Sequence, residues 1–543
     1  MASKESYILR FPIKGLVETS SYQDQPPFTA VRLQNVRAFD ADTDRARGGK
    51  RPGLSKWSAA QVNGGNDVQD ILSVVSSAAY AASNQSISVR SFKTLALAGG
   101  VLKLMTPSAA TAPGTGTGTF VATAPVVFSA ELFGVVYYCD GTNYSKYTVA
   151  SDTAAAWTAA AGSLPSSGSN VCRLIELWNG RIVLAGLVGD DHNWFMSKQG
   201  DATDWDYAPD PTTEQDAVAG NNSLLGKIGD VINGIVPYND DILLFLGDHT
   251  IWQVSGDPMA GGRIDRVSDI TGGAWGRAWC KDPYGRVWFY GSRGGVYRMV
   301  PGQAPERISS HAVESRMRRT DLSRHLVRMA WSDEEQGVYV WMVPTVDASV
   351  ADNYFYDVRT EGWFVDVYAN PDHYPRVVHV FDADDPNDRA ILLGCKDGYI
   401  RRIDQAAKND DGTPITSYAM IGPIRPRGKT AEFLIDQIEV TLGWNSDGAD
   451  GLCRLWVGDT EEDALSGAEI EIEGLLTEAG EVLICEQAAD PKFTMDLEAG
   501  RSVTHHPRVR GYAGYVEIFN DDLYVRWSLE RVECRLKVLG SKR

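Results

Sequence analysis

One short pattern recurs along the chain and constrains its fold more than any other feature. In residues 276–299 three apolar runs are separated by tight glycine turns, and the same order returns at 231–254 and 377–403. Runs of about four to eight β-branched or aromatic residues between Gly, Asp or Asn clusters are typical of β-strands. Turns this short join only antiparallel neighbours, so each copy is predicted to be a β-meander.

Four weaker copies complete a series of seven, and they lie at 95–104, 135–149, 182–196 and 338–356. The second strands begin near residues 95, 135, 182, 243, 287, 338 and 391. Repeats of about 40–50 residues with four strands each are typical of β-propeller blades. We therefore predict an all-β fold with a β-propeller of about seven blades, with outer strands at 262–267 and 305–309. A large sandwich of unrelated hairpins is the alternative.

The chain is predicted to have three segments: an extended arm at 1–44, the propeller at 45–420 and a second all-β domain at 421–543. Pro26 and Pro27 disfavour helix in the arm, which we expect to pack along another surface. After residue 420 the strands become longer and alternate cleanly, at 433–442, 453–457, 514–519 and 523–538. Such alternation buries one face of a sheet and exposes the other, which predicts a β-sandwich-like domain.

A single inserted helix is predicted at 309–330, capped by Ser309 or Ser310. Its apolar face would carry Val313, Met317, Leu322 and Leu326, and its other faces Arg316, Arg318, Arg319 and Arg324. The formal net charge of the whole chain is −19, so a basic helix stands out. We predict that it docks on an acidic neighbour, such as a second copy of the chain; a solvated face is the alternative.

A second basic cluster precedes the first blade and contains Arg45, Arg47, Lys50 and Arg51. We predict that this loop also contacts protein. Two alternatives remain open: the cluster grips phosphate, or it pairs with the nearby Asp40, Asp42 and Asp44. The acidic balance of the chain argues against general nucleic-acid binding, because such a protein is repelled by phosphate.

Motifs that carry chemistry are not recognisable in the sequence. We find no repeated sialidase-type Asp box, no nucleophile elbow, no phosphate-binding loop and no metal-ligand spacing. We therefore predict no enzyme activity, no cofactor and no metal. Trp205 lies among carboxylates, where it would either stack on a sugar or close a loop onto a blade.

The seven cysteines are scattered singly, which predicts buried free thiols in a reducing compartment. Neither a signal peptide nor an apolar run long enough to span a bilayer is recognisable. We therefore expect synthesis in a cytoplasm without insertion into a membrane.

Four stretches, in the same order, resemble the β-propeller tail nozzle proteins of short-tailed bacteriophages. They are residues 34–37 with 48–54, residues 179–186 with 197–206, residues 294–298 with 308–309, and residues 356–363. In that family a polar segment containing Asn precedes a Lys/Arg-Pro-Gly loop, as Asn35 precedes Lys50 to Gly53 here. The likeness covers about residues 30–410, and the C-terminal domain carries no family motif.

The resemblance implies a non-enzymatic virion protein of the phage tail, made in the cytoplasm of the bacterial host. It implies a ring of six copies below the tail adaptor protein, associated with tail fibres or spikes, through which duplex DNA leaves without tight binding. We expect such a ring to have a negatively charged lumen. Two other classes of function stay open: a glycan-binding or glycan-cleaving propeller for host recognition, and a cytoplasmic scaffold propeller.

Overall fold

The computed structural model contains seven four-stranded antiparallel sheets, which we number as blades 1 to 7. It describes residues 4–79, 89–345, 351–383, 385–386, 388–426, 431–444, 446, 451–466, 475–476, 482–483 and 491–541. Asp384, of an acidic loop, and Cys485 lie outside this set. The other six cysteines are buried free thiols, as predicted.

The first four blades follow one another along the chain, each running from its innermost to its outermost strand. Blades 1 and 2 consist of Val68–Ala79, Val89–Ala98, Val101–Met105 and Ala110–Thr111, then Phe128–Leu132, Val135–Cys139, Tyr144–Thr148 and Thr153–Ala156. Blades 3 and 4 consist of Leu174–Trp178, Arg181–Leu187, Asp190–Met196 and Val218–Ala219, then Ile232–Pro237, Ile242–Gly247, Ile251–Ser255 and Arg263–Ser268.

The last three blades keep this order until the final strand. Blades 5 and 6 consist of Trp279–Lys281, Val287–Tyr290, Val296–Met299 and Glu306–Arg307, then His325–Ser332, Gly337–Pro344, Asn353–Asp357 and Gly362–Asp366. Blade 7 consists of Pro375–Phe381, Ala390–Cys395, Ile400–Asp404 and, as its outermost strand, Gly53–Lys56. A strand from near the N-terminus therefore completes the last blade.

The seven blades close into a ring. Innermost strands of successive blades contact one another, including those of blades 7 and 1. Between blades 4 and 5 the amide of Gly276 donates to the carbonyl of Asn233 at 2.7 Å. Six of the second strands begin within one residue of the predicted position, whereas that of blade 1 begins at Val89 and not near 95. The two outer strands predicted in blades 4 and 5 are present. The prediction of an all-β propeller is confirmed, and the alternative of unrelated hairpins is wrong.

Stacking of the blades explains the apolar sequences of their central strands. In blade 6 all eight residues of Gly337–Pro344 are buried, and all four of Val287–Tyr290 are buried in blade 5. A sheet that packs on both faces has no wet side, so its strands are continuously apolar rather than alternating. The faces of each blade pack on the two neighbouring blades, which lets one chain build a core of this size.

Two five-stranded sheets form the second unit and draw on both ends of the chain. The first contains Lys4–Leu9, Leu529–Ser541, Ala431–Leu442, Ser502–His505 and Val509–Gly511. The second contains Leu33–Gln34, Ser417–Ile424, Ala513–Asn520, Gly451–Gly458 and Phe493–Leu497. Buried residues of both sheets share one core, so the unit is a β-sandwich.

The N-terminal segment differs from the arm that we predicted. Lys4–Leu9 pairs antiparallel with the last strand of the chain, and Leu33–Gln34 pairs with Ser417–Ile424. The boundary that we predicted at residue 420 falls inside the strand Ser417–Ile424. Residues 4–44 therefore pack within their own chain, because the sandwich needs them as edge strands.

The predicted long helix at 309–330 is wrong. Residues 314–319 are helical, Thr320 leaves the helix with an extended backbone, and His325–Ser332 is the innermost strand of blade 6. Ser309 does not cap the helix; its hydroxyl donates to Glu314 at 2.6 Å. The side chain of Asp321 accepts from the amide of Ser323 at 2.9 Å, and this turn separates the two elements.

Smaller elements connect these units. The short pairs are Val36–Arg37 with Gly49–Lys50, Ala161–Gly162 with Asp204–Trp205, Ser166–Ser167 with Asn170–Val171, and Leu475–Leu476 with Val482–Leu483. A second α-helix covers Glu461–Ser466, and 3-10 turns lie at Tyr22–Asp24 and Pro371–His373. Among the described residues no helix is long and apolar enough to cross a membrane.

Candidate functional site

The predicted basic loop lies at the junction between the propeller and the sandwich, where most of its cations are used inside the chain. Arg51 is 2 % exposed and binds both carboxylate oxygens of Asp410, at 2.9 and 2.6 Å. Its Nε donates to Oδ1 of Asn35 at 2.8 Å. Although burial lowers it, the carboxylate of Asp410 raises the pKa of Arg51 above its ordinary value. Arg51 therefore stays charged inside the protein.

Lys50 is also buried at this junction, and its ammonium points into the sandwich. Nζ donates to the carbonyl oxygens of Val525 and Asp522, at 2.8 and 3.0 Å. Burial lowers the pKa of Lys50 to about 8. Lys50 and Arg51 are therefore not available to a partner protein or to phosphate, and the prediction of an external contact is wrong for both.

Arg47 and Arg45 complete this loop and differ from each other. Arg47 is paired with Asp40 at 2.7 Å and with Glu530 of the sandwich. This pairing agrees with the alternative for the loop, but only for Asp40, because Asp42 and Asp44 pair with Arg526 and Arg359 from elsewhere in the chain. Arg45 is exposed and remains a candidate contact.

A second buried arginine connects the N-terminal segment to blade 6. Arg37 is 4 % exposed and binds Asp366 through two hydrogen bonds of 2.7 Å. Its Nε donates to Glu335 at 2.9 Å, and its guanidinium lies 4.2 Å from the ring centroid of Phe355. Burial raises the pKa of the Glu335 carboxyl. These charges hold Val36–Arg37, which directly follows a strand of the sandwich, against blade 6.

Three of the four predicted arginines, Arg316, Arg319 and Arg324, line an open groove beside blade 6. Its volume is about 400 Å³. The lining residues are Arg316, Arg319, Thr320, Asp321, Arg324, His325, Met342, Pro344, Ala351, Asp352 and Tyr354. We call this feature the arginine groove. Three arginines face two aspartates there, so the groove is basic on the surface of an acidic protein.

The four predicted arginines do not share one role. Arg316 is paired with Glu18 and with Asp352, the latter at 2.8 Å, so it joins the helix to the N-terminal segment. Arg319 is exposed, lines the groove and has no ion pair to any residue that the structure describes. Arg318 points away from the groove, 3.9 Å from Glu314. An acidic segment of a partner would be met mainly by Arg319.

Trp205 does not form an exposed platform. Its side chain is 1 % exposed, and its Nε1 donates to the carbonyl of Ala202 at 2.8 Å. The ring lies 5.9 Å from that of Trp157, and Asp204–Trp205 pairs with Ala161–Gly162. Trp205 therefore closes a loop onto the propeller, which was one of its two predicted roles, and it offers no surface to a sugar.

A charged cluster that the sequence did not indicate occupies the centre of the propeller. Arg277, which precedes the innermost strand of blade 5, donates to Glu176 of blade 3 and to the carbonyl of Ser129 of blade 2, both at 2.6 Å. Asp70 of blade 1 and Arg328 of blade 6 are each 2 % exposed beside it. No local motif marks these residues, because each comes from a different repeat.

Two groups of this cluster titrate in opposite directions. Burial raises the pKa of Asp70 to about 6 and lowers the pKa of His379 to about 4. The neutral Nε2 of His379 accepts from the amide of Ser73 at 3.2 Å. Between pH 4 and 6 the unfolded chain binds a proton at His379 that the folded chain does not. Over the same range the folded chain binds a proton at Asp70 that the unfolded chain does not.

These two effects cancel in the wild-type protein, so removing one should reveal the other. We expect the free energy of unfolding of Asp70→Asn to fall with acidification from pH 6 to 4 more steeply than that of wild type, by about 1.4 kcal/mol per pH unit. Urea unfolding at pH 4, 5 and 6 measures it. In His379→Gln the free energy of unfolding should instead rise, relative to wild type, with acidification over the same range. Parallel pH profiles of all three proteins would contradict the assignment.

In the described part of the chain, no group of three or more His, Cys, Asp or Glu side chains is placed to hold a metal ion. The buried carboxylates Glu335 and Asp366, which bind Arg37, were missed by sequence reasoning. Each is an ordinary acidic residue in sequence, and its partner lies about 300 or more positions away.

Comparisons with known proteins give likeness of fold alone. No protein-family model and no curated protein matches the sequence. The extracellular domain of a proposed hybrid two-component system from B. thetaiotaomicron matches with a TM-score of 0.41 and 12% identity, covering 84% of this chain and 55% of that one. The present chain thus spans about half the length of that protein.

Two further solved structures are similar at the same level. A structure of YCF48 bound to D1 peptide matches with a TM-score of 0.37 and 10% identity, over 65% of this chain and 99% of that one. An ancestral GH74 enzyme matches with a TM-score of 0.36 and 11% identity, over 73% of this chain and 53% of that one. These TM-scores lie below 0.5, so the propeller assignment rests on the seven closed four-stranded sheets.

Proposed function

We propose that this chain is a structural, non-enzymatic protein of a short-tailed bacteriophage, a subunit of the tail nozzle. In this role several copies form a ring below the adaptor, and the DNA passes through the ring. One observation supports the proposal most. Two of the four stretches that resemble nozzle proteins, residues 34–37 with 48–54 and residues 356–363, lie together at the junction of propeller and sandwich.

The contacts at this junction explain why these residue types belong together. Asn35 has a left-handed backbone (φ 54°), and its side chain bridges Arg51, Thr416 and Val367. Gly53 carries no side chain because a Cβ would lie 2.2 Å from the carbonyl oxygen of Asn409. The resemblance therefore lies in residues that fix how the two units are joined, which is the property a rigid ring subunit needs.

The packed centre of the propeller favours a DNA passage between several subunits over a passage through the middle of one propeller. Arg277 spans blades 2, 3 and 5 there, and Phe128 and Arg328 are buried beside it. A duplex cannot pass where side chains of opposite blades touch. In our proposal the lumen is lined by the outer surfaces of several subunits, and the excess of acidic residues keeps DNA from adhering to it.

The arginine groove is the contact that we assign to a neighbouring subunit or another tail protein. It is an open basic groove on a chain of net charge −19, so an acidic surface of a second copy is complementary to it. Such complementarity favours specificity and rapid association more than affinity.

Reversing one charge in the groove should impair assembly. We expect Arg319→Glu to weaken self-association about tenfold or more, because an acidic partner would then face a carboxylate. Sedimentation velocity over a range of concentrations measures the effect. Arg318→Glu is a matched control, since Arg318 is the neighbouring residue, is exposed and lies outside the groove.

Two results would count against these assignments. Equal assembly of both variants would exclude the groove as the contact. A wild-type protein that remains monomeric at high concentration, and also when mixed with the adaptor and fibre proteins of its phage, would contradict the nozzle proposal as a whole.

A further inference from the structure

A small cavity lies beside the charged cluster at the centre of the propeller. Its volume is about 90 Å³, and side chains of Asp70, Phe128, Arg277, Trp279 and Arg328 line it. These residues come from blades 1, 2, 5 and 6. The cavity therefore exists only when the ring of blades is closed, and it is large enough for a few atoms.

Three polar atoms on this cavity have no hydrogen-bond partner within the described residues. They are Nη2 of Arg328, Oδ2 of Asp70 and Nε1 of Trp279. The other nitrogens of Arg328 are used: Nε donates to the carbonyl of Arg376 at 2.7 Å, and Nη1 to that of Val327 at 2.9 Å. A buried donor without a partner is costly, so a cavity with two such donors favours an occupant that accepts hydrogen bonds.

The charges around the cavity indicate the sign of this occupant. Arg277 is neutralised by Glu176 at 2.6 Å, and Arg376 by Asp67 at 2.7 Å. Arg328 has no ion pair to a described residue, and Arg277 lines the same cavity. Burial, together with the charges of Arg277 and Arg376, lowers the pKa of Arg328 to about 9. A guanidinium so placed is stabilised by a nearby anion.

We propose that this cavity binds a small monovalent anion, held by Nη2 of Arg328 and Nε1 of Trp279. A volume of about 90 Å³ admits a halide or a small carboxylate and is too small for a nucleotide or a sugar. The anion would join the innermost strands of blades 5 and 6 to each other, and so stabilise the closed propeller.

Asp70 determines when the anion binds. As a carboxylate it opposes an anion, whereas as a neutral acid it donates a third hydrogen bond into the cavity. Binding should therefore be tighter at pH 5 than at pH 8. The titratable and charged groups that face Asp70 and Arg328 from all packed elements are Asp67, Glu176, Arg277, Arg376 and His379.

The test uses the full chain with chloride as the probe. At constant ionic strength and pH 5, replacing sodium gluconate with sodium chloride should raise the melting temperature by about 1–3 °C, and less at pH 8. Sodium formate, in a parallel series, distinguishes a small carboxylate from a halide. Asp70→Asn, which is neutral at every pH, should keep the stabilisation at pH 8, and Arg328→Met should lose it.

Arg318→Met, at the exposed arginine outside the arginine groove, is the matched control and should respond like wild type. No stabilisation of the wild type by chloride or formate would overturn the proposal, and so would an unchanged response in Arg328→Met. If Arg328→Met does not fold, crystals of the wild type grown in bromide decide the question. Anomalous density in the cavity would support the site, and its absence there would refute it.

Discussion

Replacing Asp410 with alanine is expected to lower the free energy of unfolding by about 3–5 kcal/mol. The substitution leaves the guanidinium of Arg51 buried at 2 % exposure, with its two hydrogen bonds to the carboxylate removed. Asp366 is its next carboxylate, at 3.9 Å, and is already bound to Arg37. Urea unfolding of Asp410→Ala against wild type measures the loss.

The comparison with an exposed ion pair shows that burial causes this loss. Arg263 and Asp265 lie 2.8 Å apart with exposed side chains, so Asp265→Ala should cost about 0–1 kcal/mol. The double variant Arg51→Met with Asp410→Leu should recover part of the stability, because it buries no unpaired charge. Equal stabilities of Asp410→Ala and Asp265→Ala would contradict the assigned role of the junction.

Substitution of Gly53 by valine is expected to detach the strand that closes the propeller. A Cβ at this position would lie 2.2 Å from the carbonyl oxygen of Asn409 and 2.9 Å from that of Ala407, both of them backbone atoms. The outermost strand of blade 7 cannot relieve this clash without leaving Ile400–Asp404, with which it pairs. We expect a loss of about 3 kcal/mol or more.

Hydrogen exchange can locate the effect. Amides of Ile400–Asp404 that bond to Gly53–Lys56 should lose protection in Gly53→Val, while the central strands of blade 5 keep theirs. Lys56→Val is the control, since Lys56 is exposed on the same strand and valine suits a β-strand. Native protection of Ile400–Asp404 in Gly53→Val would show that the strand is not needed for closure.

The repeats of the propeller could be predicted because their signal is local. Each blade combines short apolar strands with turns such as Gly99-Gly100 and Gly294-Gly295, and these lie where the structure has hairpins. The alternating strands of the sandwich were predicted for the same reason, although the one expected at 523–538 covers Leu529–Ser541. The helix at 309–330 failed because Leu322 and Leu326 fit a helical face by spacing, while His325–Ser332 pairs with Gly337–Pro344 as a strand.

The roles of the charged residues could not be predicted, because pairing over long sequence separations leaves no local trace. Arg51 and Arg45 look alike in sequence, yet one is buried against Asp410 and the other is exposed. The same holds for Arg318 and Arg319, adjacent residues of which only Arg319 lines the groove. The cluster at the propeller centre is likewise assembled from different repeats, so only the closed ring reveals it.

Because a strand from near the N-terminus closes the propeller, the two units cannot finish folding early in translation. Gly53–Lys56 is synthesised early, but its partner Ile400–Asp404 emerges almost 350 residues later. At about 5–20 residues per second this interval lasts roughly 20–70 s. During that time Arg37, Lys50 and Arg51 lack their partners. Lys4–Leu9 must wait about 520 residues for Leu529–Ser541, so the sandwich is completed after the propeller.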